Sequence, residues 1–146
     1  MPLWTVIYVW VYWLWAALLA LACWRWGDRP TAFAGPIYLA GVVLGNLTLR
    51  HQAFSQFEPG QAIADLMLAI VLSRLAVRWP RWWWIGLAAV QLVSLIGHLS
   101  MLTRTGLSRL AYALMTGMSA YPSLILITIG LVAAMRVRSA RKRRPA

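Results

Sequence analysis

Asp65 and His98 are the two side chains in this sequence whose type and setting best suit chemistry. Each lies in a long apolar run, Asp65 as the one acidic residue within Gln61 to Val77 and His98 as the one ionisable residue within Trp82 to Leu102. A charge at membrane depth costs at least about 2.5–3.5 kcal/mol on insertion scales, so an ionisable residue in such a run needs a partner or a role. A carboxylate beside an imidazole favours the charged form of both, and each offsets the burial of the other. The chemistry open to such a pair is proton binding or the recognition of a small ligand. A plainer reading is a polar clasp that fixes the register of two helices, an interaction that averages about 0.6 kcal/mol between membrane helices. Arg50 or Arg104 could equally be the partner of Asp65, and spacing alone leaves that choice open.

His51 and His98 are the only histidines. Axial ligation by two histidines from different helices holds b-type haem in some proteins, so haem stands as an alternative use of this pair. His51 directly follows Arg50 at a helix end, however, where hydration alone explains it. No GxSxG, HExxH or comparable constellation occurs, so no enzyme activity, metal or resident cofactor is expected. The single cysteine, Cys23, rules out an internal disulfide, a multi-cysteine metal site and a CxxC redox centre. It reads as a packed apolar residue. Ala20-Leu21-Ala22-Cys23 makes a poor lipoprotein cleavage site, because the residue order before the cysteine is wrong and a basic start is missing.

The elements that must position Asp65 and His98 follow from composition. The chain has 146 residues, 62% of them hydrophobic and 12% charged, whereas soluble domains average about 25% charged residues. Successive apolar windows match the roughly 17–25 residues that cross a bilayer. The expected fold is all-α, a polytopic transmembrane bundle forming one domain over residues 1–135, with a basic tail over 136–146. Helices are expected at about 3–24, 34–49, 61–77, 82–102 and 110–135, which gives five spans. A four-span alternative leaves Ala34 to Leu49 lying at the interface. The first helix is read as retained, since MPLWTVIYVW has no basic region to mark a signal peptide.

Phe57 to Thr105 forms the centre of this scheme, a helical hairpin that turns at Pro80. At about 1.5 Å per residue, Asp65 lies roughly 22 Å up one arm and His98 roughly 27 Å up the other. The two therefore reach similar depth, towards the membrane face opposite the turn. Arg74, Arg78 and Arg81, with Trp79 and Trp82 to Trp84, read as an interfacial anchor around that turn. Glu58-Pro59 is a helix start, with an acidic group near the positive end of the helix dipole.

The remaining helices carry packing signals. Trp4, Tyr8, Tyr12 and Trp15 share one face of the first helix. They serve either close packing or a flat platform for a pigment, quinone or partner helix. Gly41 and Gly45 form a GxxxG in the second helix, which lets another helix approach closely. The first turn of that helix is expected at Pro36, after a polar loop in which Asp28 offsets a neighbouring arginine. Ala113 and Gly117 supply a similar small-residue contact in the last helix, ahead of a kink expected at Pro122.

Charge sets the expected topology. With five spans, the first loop, the hairpin turn and the C-terminal tail share eleven basic residues, while the opposite side has only Arg50, Arg104 and Arg109. The positive-inside rule then puts the tail in the cytoplasm and the N-terminus outside. The tail also suits anionic lipid headgroups. It lacks the aromatic residues that stack single-stranded nucleic acid, so no nucleic-acid partner is expected.

Phe57-Glu58-Pro59-Gly60, Asp65, Arg81-Trp82-Trp83-Trp84, Gln91-Leu92, His98-Leu99, Ala111-Tyr112-Ala113 and Tyr121-Pro122 form a pattern that resembles a set of small bacterial inner-membrane proteins. The resemblance covers roughly the last two-thirds of the chain. It implies a bacterial cytoplasmic membrane and brings no assigned activity, so it transfers no catalytic residue. In size and helix count alone, the chain also resembles the haem-carrying anchors of respiratory enzymes, but it lacks their paired histidines on several helices. The expected role is an accessory or scaffold subunit, in contact with lipid and with other membrane subunits or further copies of itself. The competing expectation is a small proton-coupled transporter or channel that uses Asp65 and His98.

Overall fold

The computed structural model describes residues 3–48, 58–102, 115 and 119–142. All regular secondary structure among the described residues is helical. Five long helices follow in order: α1 (Leu3–Trp26), α2 (Arg29–Leu47), α3 (Pro59–Arg78), α4 (Trp82–Leu102) and α5 (Ala120–Lys142). Of these, α2 to α5 are long and apolar enough to cross a membrane. Each helix packs on the next, α5 returns to α1 to close a ring, and α2 also touches α5 across it.

Side chains are distributed inside-out relative to a soluble bundle. On α1, Trp10, Leu14, Leu18 and Leu21 recur at helical spacing and are all more than half exposed. The interior mixes small residues such as Ala16, Ala34, Ala64 and Ala69 with large ones such as Leu72, Leu87 and Ile127, and also holds buried Thr31, Gln91, Ser94, His98 and Ser123. Apolar stripes of this size need cover in water. In lipid the same stripes face their solvent, and small interior residues let the backbones come close.

Among the glycines within the helices, the closest approach to another helix's backbone is at Gly35, where an added Cβ would lie 2.7 Å from the Cα of Ala20 on α1. The glycines of the GxxxG turn towards α3 with more room. A Cβ on Gly41 would meet the Leu68 side chain at 2.8 Å, and one on Gly45 would meet only ordinary contacts at 3.9 and 4.0 Å, to Ala64 and Gln61. Ala113 and Gly117 lie outside the described residues.

Three expectations are corrected. First, α2 begins at Arg29 rather than near Ala34, because Asp28 caps it. The Asp28 carboxylate accepts from the Thr31 backbone N–H at 3.2 Å and from the Thr31 hydroxyl at 2.6 Å. Pro30 takes an early position where no backbone donor is needed, and Pro36 falls inside the helix instead of opening it. Second, Pro122 lies in the first turn of α5 rather than near its middle, and α5 continues through Arg136 and Arg138 to Lys142 instead of ending near Met135. Third, Trp83 and Trp84 are core residues, at 2% and 0% exposure, while Trp82 alone of the three is exposed. Trp83 and Trp84 stack at 4.8 Å, and Trp84 continues through Trp79 to Phe33 on α2.

The Asp28 that caps α2 also bonds Arg81, tying the α1–α2 loop to the α3–α4 turn at one end of the bundle. Burial pushes the Asp28 carboxyl up, but hydrogen bonds from Arg81 and Thr31 outweigh it and hold the group below the usual carboxylate range. A depressed folded-state pKa stabilises above the unfolded value of about 3.9, and the contribution is lost as pH falls through the folded value. Asp28→Ala is therefore expected to cost about 0.5–2 kcal/mol near neutrality, most of it from the lost cap. The half-exposed ion pair adds little. In detergent, the gap in unfolding midpoint between wild type and variant should close as pH drops below about 4.

Candidate functional site

Asp65 and His98 meet. Asp65 lies two turns into α3, and His98 lies near the end of α4. The antiparallel packing of these helices brings His98 Nε2 to 3.2 Å from Asp65 Oδ2. A third group joins them: the Ser94 hydroxyl donates to the same carboxylate oxygen at 2.6 Å. Ser94 and His98 are four residues apart and so share one face of α4. The imidazole side chain is 1% exposed and the carboxylate 19%, which leaves Asp65 as the part of the cluster that can be reached.

A tyrosine layer flanks this cluster. The Tyr38 hydroxyl on α2 donates to the Ala120 carbonyl at the start of α5, at 3.1 Å. With its single proton used there, Tyr38 accepts from Tyr12 on α1 at 3.3 Å. All five helices therefore contribute a polar group at about this depth.

The interior beyond this layer, towards the end that holds Asp28 and Arg81, is packed with large apolar side chains. Leu72, Leu87 and Ile127 are each 0% exposed. They stand seven residues from Asp65, Ser94 and Ala120 respectively, which places them about 10 Å further along the bundle. Apolar packing thus separates the polar layer from the arginine-rich end.

Tyr12 and Trp15 pack against Tyr121 of α5, with ring centroids at 5.8 and 6.3 Å and planes inclined at 57° and 62°. That is helix-to-helix aromatic packing, with no open flat surface at these two residues. The side chains of Trp4 and Tyr8 lie outside the described residues, as do Arg50, His51 and Arg104. Haem ligation finds no support from His98, whose Nε2 is turned onto a carboxylate inside a closed interior. Among the described residues no group of three His, Cys, Asp or Glu side chains could hold a metal ion. Cys23 is fully buried within α1.

Sequence reasoning missed Ser94 and Tyr38. Hydroxyls in membrane helices commonly bond their own backbone, as Ser100 and Thr128 do here with Ile96 and Leu124. The usable signal for Ser94 was its position one turn before His98. No protein-family model, curated protein or solved structure significantly matches the chain.

Proposed function

We propose that this protein is a non-catalytic accessory or scaffold subunit of a larger bacterial inner-membrane assembly. In this reading the chain spans the membrane five times, with the N-terminus outside and the C-terminus in the cytoplasm. The observation that carries the proposal is how the chemistry-bearing residues are used. Asp65, Ser94 and His98 bond to one another inside the bundle, and the core beyond them is closed by apolar side chains, so this arrangement offers no path through the protein. Many large apolar residues, among them Trp10, Leu14, Leu18, Leu21, Ile63, Ile70 and Ile96, meanwhile face outward, where other subunits and lipid are. The asymmetry of basic residues supports the orientation, with Arg25, Arg29, Arg74, Arg78, Arg136 and Arg138 all exposed at one end.

Crosslinking in native membranes, followed by mild-detergent purification, should recover the same neighbouring membrane protein in independent preparations. A chain that purifies alone and monodisperse, with no reproducible crosslinked neighbour, would falsify the scaffold reading.

One observation favours a second reading, a proton-coupled carrier: Asp65 retains access while His98 is enclosed. A partly exposed carboxylate, hydrogen-bonded to a hydroxyl and an imidazole, is equipped to take up and release a proton. In liposomes carrying a pH gradient, proton flux through the wild type should drop at least tenfold in Asp65→Asn if this reading holds. Equal flux in the two removes Asp65 as a transport site and leaves the scaffold reading in place.

A further inference from the structure

The arginine-rich end has a groove of about 350 Å³ between the α3–α4 turn and α5, within the size range of small-molecule sites. Buried Trp83 and Ala134 form its floor, exposed Trp82, Ala133 and Val137 line its sides, and Arg81 and Asp28 supply its polar groups. We propose that this groove holds one anionic phospholipid of the cytoplasmic leaflet, with the lipid phosphate on Arg81 and an acyl chain along Trp82, Ala133 and Val137. The inference rests on the membrane reading above and is independent of which neighbour the protein serves.

Three features argue for this occupant. Asp28 is already engaged by Thr31 through one oxygen and by Arg81 through the other, so it acts as a brace that orients the guanidinium. Arginine has five N–H donors in a fixed fork, and the bond to Asp28 uses one terminal nitrogen. The rest of the fork matches phosphate oxygens. Charge then selects among lipids. Asp28 is the only acidic residue at this end, since the other two in the chain are Glu58 at the opposite end and Asp65 in the interior. Against it stand Arg81 and six exposed arginines, and each basic group near an anionic leaflet contributes about 1 kcal/mol of attraction. The apolar walls supply what a free phosphate ion would not use.

The test uses the full chain in mild detergent, with native mass spectrometry at matched concentrations of dioleoyl phosphatidylglycerol and dioleoyl phosphatidylcholine. The wild type should retain one phosphatidylglycerol under activation that strips phosphatidylcholine. Arg81→Gln should weaken retention about tenfold, the loss expected for one charge-assisted phosphate contact. Ala133→Leu fills the groove while leaving the Asp28–Arg81 pair intact, and should lower retention to a similar degree. Arg138→Gln, which keeps the groove and removes only one of the surrounding charges, should lower retention less than Arg81→Gln. Thermal unfolding of each variant confirms a folded chain. Equal retention of the two lipids, undiminished retention in both groove variants, or a lipid-free dimer in place of a lipid-bound monomer overturns the proposal. A chain that stays monodisperse after complete detergent removal sinks the membrane reading instead, a result distinct from any of these.

Discussion

Asp65→Leu is expected to destabilise the bundle by about 1–3 kcal/mol, and the double variant Asp65→Leu/His98→Leu is expected to recover most of that loss. The single change leaves an enclosed imidazole and the Ser94 hydroxyl facing an apolar side chain. A buried donor stripped of its partner carries its full desolvation cost. Replacing both Asp65 and His98 takes away the imidazole's penalty together with the bond, such replacements being often neutral or stabilising, and the Ser94 hydroxyl can turn onto the backbone of its own helix. His98→Leu alone should cost less than Asp65→Leu, because Asp65 keeps the 2.6 Å bond from Ser94 and its 19% exposure. A double-mutant cycle on unfolding in detergent measures the coupling. Single and double variants that simply add would mean that the two side chains do not interact in the folded protein. The cycle also bears on function. A cluster kept only as a clasp can be replaced by leucines without loss of assembly or flux, whereas a proton site cannot.

The sequence made the helical pattern and the depth of this cluster legible because both follow from counting. Apolar runs of spanning length stand out against the charged loops, and similar distances from Pro80 put Asp65 and His98 near one level. Rotation about the helix axes was not legible, since the hydrophobic pattern of a membrane helix is nearly uniform around its circumference. That explains why Trp83 and Trp84 were read as interfacial: a run of three tryptophans does not disclose which of them turns inward. The start of α2 was missed for a different reason. Asp28-Arg29-Pro30-Thr31 looks like a polar loop until the carboxylate is seen to accept from Thr31, at which point the same residues are a helix cap.

The glycines carry the same lesson to a sharp test, because the sequence pointed to Gly41 and Gly45 while the closest approach of one helix backbone to another is at Gly35. Gly35→Ala is expected to cost about 1–3 kcal/mol or more, the range for overpacking a well-filled interior. Its new Cβ would lie 2.7 Å from the Ala20 Cα and 3.1 Å from the Leu19 carbonyl oxygen. Both obstacles are backbone, so relief requires α1 and α2 to separate, and Ala34 and Tyr38 on α2 would lose their close packing with them. Gly45→Ala makes the opposite prediction. Its Cβ meets nothing closer than 3.9 Å, and alanine is favoured over glycine inside a helix by about 0.8–1 kcal/mol, so the variant should be as stable as wild type or slightly more so. Gly41→Ala belongs between them, because the obstruction is the flexible end of Leu68. Unfolding midpoints in one detergent should therefore rank Gly45→Ala highest, Gly41→Ala next and Gly35→Ala lowest. A ranking in which Gly45→Ala is the most damaging would locate the tight helix contact at the GxxxG and contradict the α1–α2 packing described above.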